Sequence, residues 1–297
     1  MYSYWGFGLN IASEIEFPEM YPAEFDLADV TISLDKISIL LTNTNDHYIH
    51  RINDKELLFE VKGIATYYVA NGKSIFINID ERNAELRNVR LFTLATAMAA
   101  ILFQRNLIPF HSSAIIKDNH LSLITGDSGA GKSTSVAGLI KKGYPIFSDD
   151  IVVLHKNVTE KILAYASYPM IKLWDDTVVS LEHEMFNDRS FAVKPGIDKY
   201  GIFFHDKFDK SSYYVENIII LKKGVNAKII VKELHGGEAF AEVAKQVYRP
   251  GLLKGASVKK MRFDILTGLL KTSHIFEITR PEDGSIEKML LQIEELL

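Results

Sequence analysis

Over residues 1–80 the apolar positions fall in clusters of β-branched and aromatic side chains that read as strands. Residues 55–70 and 73–79 are the clearest of these runs, and Asn71-Gly72 lies between them. A type I′ turn needs positive φ at both central positions, which Asn and Gly adopt at little cost, so the dipeptide predicts a tight hairpin. From 83 to 106 the pattern turns helical, rich in Ala and Leu, with no Gly or Pro inside it, and Pro109 closes the region. Beyond Pro109 the pattern becomes strand, turn, strand: 112–116, Asp118-Asn119, then 120–125. A Gly-rich segment follows, then a helix over 132–142 ended by Gly143 and a short apolar strand at 144–147. Further strands are expected at 214–221, 227–231 and 273–278, and helices at 238–247, 258–270 and 286–297. The polar stretch 175–210, which carries Lys194-Pro195-Gly196, reads as a loop or a substrate-contacting insertion. The pattern as a whole predicts a mixed α/β chain: a small β-rich N-terminal module over 1–82 and a mixed-sheet core over 83–297.

Composition narrows the class of function. Of 297 residues 47% are apolar and 24% charged, which is the balance of a folded globular protein. Lys+Arg 34 against Asp+Glu 38 gives a net charge of −4, with no basic footprint for nucleic acid or an anionic membrane. With Cys 0, disulfides, a thiolate nucleophile and Cys-based metal sites are excluded. The longest apolar stretch, 91–103, is short for a membrane span and fits a buried helix. Met1-Tyr2-Ser3-Tyr4-Trp5 has neither the basic nor the apolar region of a signal peptide, so a cytoplasmic protein is expected.

Chemistry concentrates in Gly126-Asp127-Ser128-Gly129-Ala130-Gly131-Lys132-Ser133, followed by Thr134, a complete match to the phosphate-binding P-loop pattern. Its glycines let the backbone turn tightly enough for successive N–H groups to face a polyphosphate. The helix that starts near Lys132 adds its N-terminal dipole. Lys132 can reach the β- and γ-phosphates and the Ser133 hydroxyl can ligate Mg²⁺, so ATP with Mg²⁺ is the expected cofactor pair. Pro145-Ile146-Phe147-Ser148-Asp149-Asp150 then reads as an apolar strand ending in two carboxylates. One of the pair can hold the metal and the other can take a proton from an attacking hydroxyl. His111 precedes the strand that pairs with the one feeding the loop, where an imidazole could orient an Asp. Arg249, in Tyr248-Arg249-Pro250, and Lys199 are candidates for holding a substrate carboxylate, with Lys194 and Arg262 behind them.

His111-Ser112-Ser113-Ala114, the Gly-rich loop and Ser148-Asp149-Asp150 together resemble the catalytic core of HPr kinase/phosphorylase, over roughly residues 107–155. The resemblance implies an HPr-kinase-like P-loop fold with Asp149 as general base on an acceptor serine and His111 beside it. It further implies Asp150 and Ser133 on Mg²⁺, Lys132 on the transferred phosphate, and assembly into homo-oligomers. The Glu-x-Arg-Gly-x-Gly signature of that family, tied to the reverse reaction, is absent; the segment after the core reads Tyr168-Pro169-Met170-Ile171-Lys172-Leu173-Trp174. The start, Tyr4-Trp5-Gly6-Phe7-Gly8-Leu9, is similar instead to the short HPr-kinase-like proteins encoded with lasso-peptide precursors. That similarity implies a peptide partner, a ribosomal precursor whose C-terminal serine receives the γ-phosphoryl group of ATP. Three alternatives stand beside it: an HPr-type serine kinase, a small-molecule kinase, and a nucleotide-binding module of a peptide-modification complex without transferase activity.

Overall fold

The structure is a computed structural model that describes the chain apart from residues 37–48, 81, 83, 128, 182–185, 187–190, 194–197, 225–227 and 282–285. Its contacts group into two compact units, Met1–Pro109 with Tyr248–Phe263, and Phe110–Val247 with Asp264–Leu297. The two large sheets are mixed, so the chain is a mixed α/β protein.

The first unit carries β1 (Tyr2–Gly6), β2 (Leu9–Ser13), β3 (Tyr21–Pro22), β4 (Val30–Leu34), β5 (Ile49–Ile52), β6 (Glu56–Val61), β7 (Ala65–Ala70) and β8 (Ser74–Ile79). They form one sheet in the order β3-β1-β2-β4-β8-β7-β6-β5, with β4 parallel to both β2 and β8. Asn71 and Gly72, at φ 56° and 62°, make the tight turn between β7 and β8. The run at 55–70 is two strands rather than one, because Gly63 at φ 74° turns β6 back onto β7. Alternation fills the core from one face: Leu57, Phe59, Tyr67, Val69, Ile75 and Ile77 are buried. The helical run resolves into α1 (Leu86–Phe92), a π turn at Thr93–Ala97 and α2 (Met98–Gln104). The Thr93 hydroxyl donates to the Val89 carbonyl at 2.8 Å where the helix widens, and the Tyr67 hydroxyl bonds the same carbonyl from the sheet at 3.1 Å. Leu86–Gln104 is long and apolar enough to cross a membrane by length and composition, and 61% of it is buried inside the fold. Tyr4 and Phe7 of the aromatic start are core residues, while Tyr2 is exposed.

The chain enters the second unit through β9 (Ile108–Phe110). It continues as β10 (Ser112–Lys117), β11 (His120–Gly126), α3 (Lys132–Lys141), β12 (Ile146–Ser148), β13 (Val152–Lys156), β14 (Ile162–Ala166) and β15 (Met170–Trp174). After these come α4 (Asp175–Leu181), β16 (Lys199–Phe203), β17 (Tyr213–Gly224), β18 (Ile230–Glu233) and α5 (Gly236–Lys245). Last are α6 (Ala256–Thr272), which begins in the first unit, β19 (His274–Pro281) and α7 (Ile286–Leu296). One run of the sheet reads β12-β10-β11-β17-β19-β18, with β11, β17 and β19 mutually parallel and their carboxyl ends on one edge. In mixed α/β sheets that edge is where ligands bind. α3 and α7 pack through Val136, Leu139, Met289, Leu290 and Ile293. At Gly138 the two run close, and an added Cβ would come 2.5 Å from Leu290 Cδ1.

The described residues of 175–210 include a helix and a strand. The helix is α4, and the strand, β16, pairs antiparallel with β15, joining Trp174 to Lys199. Polar surface hid the apolar contribution of Val178, Ile202 and Phe204, all of which are buried in the core. Lys194-Pro195-Gly196 lies outside the described residues.

Candidate active site

β11 delivers the chain to Gly126, which has φ 134° and runs so close to β17 that a Cβ would come 2.2 Å from the Leu221 carbonyl oxygen. Only glycine fits there. Gly129 and Gly131 also take positive φ, 78° and 105°, and Gly131 caps α3. Ser135 fixes the first turn, its N–H and hydroxyl donating to the Gly131 carbonyl at 2.8 and 2.7 Å. The Ala130 N–H donates to the Asp127 carbonyl at 3.1 Å. Lys132 folds back over its own loop, donating to the Gly126 carbonyl at 2.6 Å and the Asp127 carbonyl at 3.2 Å. Burial lowers the Lys132 ammonium pKa, against the pull of Asp150, Asp149 and Asp127. Ser128 lies outside the described residues.

The two carboxylates arrive from β12, which pairs antiparallel with β10 and sets Ser148 opposite Ala114. Successive strand residues point to opposite faces, yet Asp149 and Asp150 line the same cavity. Asp150 manages this by leaving the strand in the left-handed region, at φ 67°. Asp149 is buried, and both its oxygens are bonded: the Ser113 hydroxyl donates to Oδ1 at 2.5 Å and the Lys172 N–H to Oδ2 at 2.9 Å. Burial raises its carboxyl pKa, and the neighbouring Asp150 charge adds to the rise. Asp150 has the opposite fate. Burial alone would raise it, but the Lys172 ammonium, 2.7 Å from Oδ2, together with His111 and Lys199 holds it well below the usual carboxylate range. Two adjacent carboxyls are thus pushed apart, one toward keeping a proton and one firmly ionised.

His111 is held by its backbone. Its N–H donates to the Gln246 carbonyl at 2.7 Å, and its carbonyl accepts from the Thr125 hydroxyl at 2.6 Å. Its Nε2 stands 3.6 Å from Asp150 Oδ1, beyond hydrogen-bond reach. Burial lowers the imidazole pKa, Lys132 and Lys172 push the same way, and Asp150 and Asp149 oppose them. A lowered pKa favours the neutral ring near pH 7, whereas a protonated ring draws the Asp150 carboxyl lower.

His111, Lys132, Ser133, Thr134, Asp149, Asp150 and Lys199 all line one cavity of about 280 Å³, to which Gly129 and Gly131 also contribute. Thr134 touches Thr177 hydroxyl to hydroxyl at 3.3 Å, and the Lys199 ammonium lies 5.7 Å from the centre of the Trp174 ring. Arg249 belongs to the first unit, where its guanidinium stacks over Tyr248 at 5.4 Å; the cavity is built of second-unit residues. Three further residues shape the site. Ser113 and Lys172 hold the carboxylates, and Arg280 donates from Nε to the Ala130 carbonyl at 3.2 Å. Lys172 left one sequence signal, a lone cation inside the apolar run Met170-Ile171-Lys172-Leu173-Trp174; Arg280 left none.

No family model matches the chain, and no curated protein does. Among solved structures it is similar to the HPr(Ser) kinase/phosphatase from Coxiella burnetii, with 16% identity and a TM-score of 0.33 over 63% of this chain and 92% of that one. At that score the likeness bears on neither family nor activity.

Proposed function

We propose that this chain is a cytoplasmic kinase that transfers the γ-phosphoryl group of ATP, with Mg²⁺, to the serine hydroxyl of a peptide, on an HPr-kinase-like P-loop core. One observation carries the proposal: the Lys132-Ser133 end of the Gly-rich loop and the split carboxyl pair Asp149–Asp150 face a common cavity. Phosphoryl transfer asks a protein for little else than a phosphate cradle, a metal ligand and a proton acceptor in register.

The residues suit both cofactors. Gly129 and Gly131 line the cavity at positive φ, and Gly126, pressed against the Leu221 carbonyl, lets the loop start its turn beside β17. An ionised Asp150 and the Ser133 hydroxyl are the hard oxygen donors Mg²⁺ accepts. A metal held by these two side chains would supply positive charge to offset what develops on the phosphate being transferred. Lys132 has to leave the Gly126 and Asp127 carbonyls to reach a phosphate. Asp149 takes the acceptor's proton; with its pKa raised by burial it is a stronger base than an exposed carboxylate. Ser113 and the Lys172 N–H fix the plane of that carboxylate, and a neutral His111 adds no positive charge that would weaken it.

For the acceptor we propose the C-terminal serine of a lasso-type precursor peptide, on the sequence similarity of the N-terminal module. Intact-mass analysis after incubation with ATP and Mg²⁺ tests this, using a precursor peptide ending in serine, an HPr protein and a small alcohol in parallel. One phosphate added to the peptide alone, and lost with Asp149→Asn, is the expected result. Phosphate on HPr or the alcohol instead would overturn the acceptor, and no transfer to any of the three would overturn the kinase.

A further inference from the structure

A phosphate cradle in the Gly-rich loop leaves the direction of the rest of the donor to be settled, and the order of the sheet supplies it. β11, which carries the loop, has β10 and β12 on one side and β17 and β19 on the other. Asp149 and Asp150 directly follow β12, while Arg280 stands near the end of β19. The reacting phosphate has to face the carboxylates. The substituted end of the polyphosphate therefore leaves the loop toward β17 and β19.

On that side the cavity changes character. The Arg280 guanidinium, tied to the Ala130 carbonyl, lies flush against Gly131: a Cβ there would be 3.8 Å from Nε and 4.0 Å from Nη2. Met289 meets the same spot from α7, with its Cε 3.4 Å from that position. Arg280, Ile286 and Met289 line the cavity together with Lys132 and Ser133. A planar guanidinium beside the exposed branched chain of Ile286, with the buried Met289 thioether packed behind it, makes a surface for a flat heteroaromatic ring. Guanidinium groups stack on π faces, and methionine adapts its shape to what it covers.

We propose that Arg280 and Ile286, backed by the buried Met289, form the nucleoside subsite, receiving the base of a nucleoside triphosphate whose phosphates occupy the Gly-rich loop; this rests on the nucleotide reading above. Titration calorimetry with Mg-ATP and with inorganic tripolyphosphate tests it on the wild type, Arg280→Ala and Arg280→Lys. Arg280→Ala should weaken ATP by roughly five- to thirtyfold, the range of a desolvated cation–π contact, and tripolyphosphate by less than about twofold. Arg280→Lys keeps the charge but loses the flat face, and should weaken ATP nearly as much. Equal losses for both ligands would overturn the subsite, since Arg280 would then serve the phosphates or brace the loop. Unchanged ATP affinity in both variants would overturn it too. A wild type that binds neither ligand would instead reject the nucleotide reading. Partial unfolding of a variant lowers the stoichiometry rather than the ratio of the two affinities, so it cannot imitate the expected result.

Discussion

Lys172→Met isolates the electrostatic device at the centre of the site. The substitution removes the ammonium 2.7 Å from Asp150 Oδ2 but keeps the backbone N–H that donates to Asp149 at 2.9 Å. The side chains of Lys172 and Asp150 are 12% and 28% exposed, so the pair lies between a buried and a surface ion pair. Breaking a fully buried pair costs about 3–5 kcal/mol and a surface one under about 1 kcal/mol, which brackets the loss here at about 1–3 kcal/mol. At about 2–4 °C per kcal/mol, the melting temperature should fall by roughly 2–12 °C. The pH dependence is the sharper test. In the wild type the depressed Asp150 carboxyl contributes stability that is present above its unfolded value and lost only in strong acid, a flat contribution across neutral pH. Without Lys172 the carboxyls of both Asp149 and Asp150 rise. A carboxyl raised in the folded state contributes stability that is full below its unfolded value and lost as pH climbs through its folded one. The deficit of the variant should thus be largest near about pH 8 and shrink toward about pH 5. Urea unfolding of both proteins across that range measures it. A deficit independent of pH, or none at all, would refute the reasoning.

Gly126→Ala should cost more than about 3 kcal/mol, because the new Cβ meets the Leu221 carbonyl oxygen at 2.2 Å. Gly143→Ala, also at positive φ but with nothing within 4 Å, should cost only about 1–2 kcal/mol; similar values from urea unfolding would contradict the contact. Asp149→Asn should slow phosphoryl transfer about 10²- to 10⁴-fold while Mg-ATP affinity stays within about threefold, checked by single-turnover assay and calorimetry. Gly138→Ala should destabilise by about 1–3 kcal/mol through the Leu290 methyl at 2.5 Å. Adding Leu290→Ala should then cost less than the sum of the two single changes, and strict additivity would remove the proposed contact between α3 and α7.

Where a segment's conformation depends on its own residues, the sequence was enough. Asn71-Gly72 and Asp118-Asn119 turn where expected because all four residues accept positive φ. The strand, Gly-rich loop and helix over 120–141 follow from glycine spacing and an apolar helix face. Gly63, which breaks the run at 55–70 into two strands, is also a local signal, since a glycine at positive φ permits the turn. The polar stretch 175–210 misled, since a strand with one wet edge and a short helix carry too few apolar residues to outweigh their charges.

Which side chains share a cavity was a different matter. His111, Lys132, Ser133, Asp149 and Asp150 stood out because each chemistry-bearing residue lies in or beside a recognisable pattern. Lys172 and Arg280 join them from 22 and 130 residues beyond Asp150, through pairings of β15 and β19 that no local pattern encodes. The opposite properties of Asp149 and Asp150 could not be read from two identical neighbours either. Residue type sets a reference acidity; burial raises the Asp149 carboxyl, and the Lys172 ammonium holds the Asp150 carboxyl down against the same burial. Composition and spacing determined the local geometry of the loop, because backbone sterics act over a few residues. The tertiary structure alone decided what surrounds it, because burial and charge act through space, between groups the chain holds far apart.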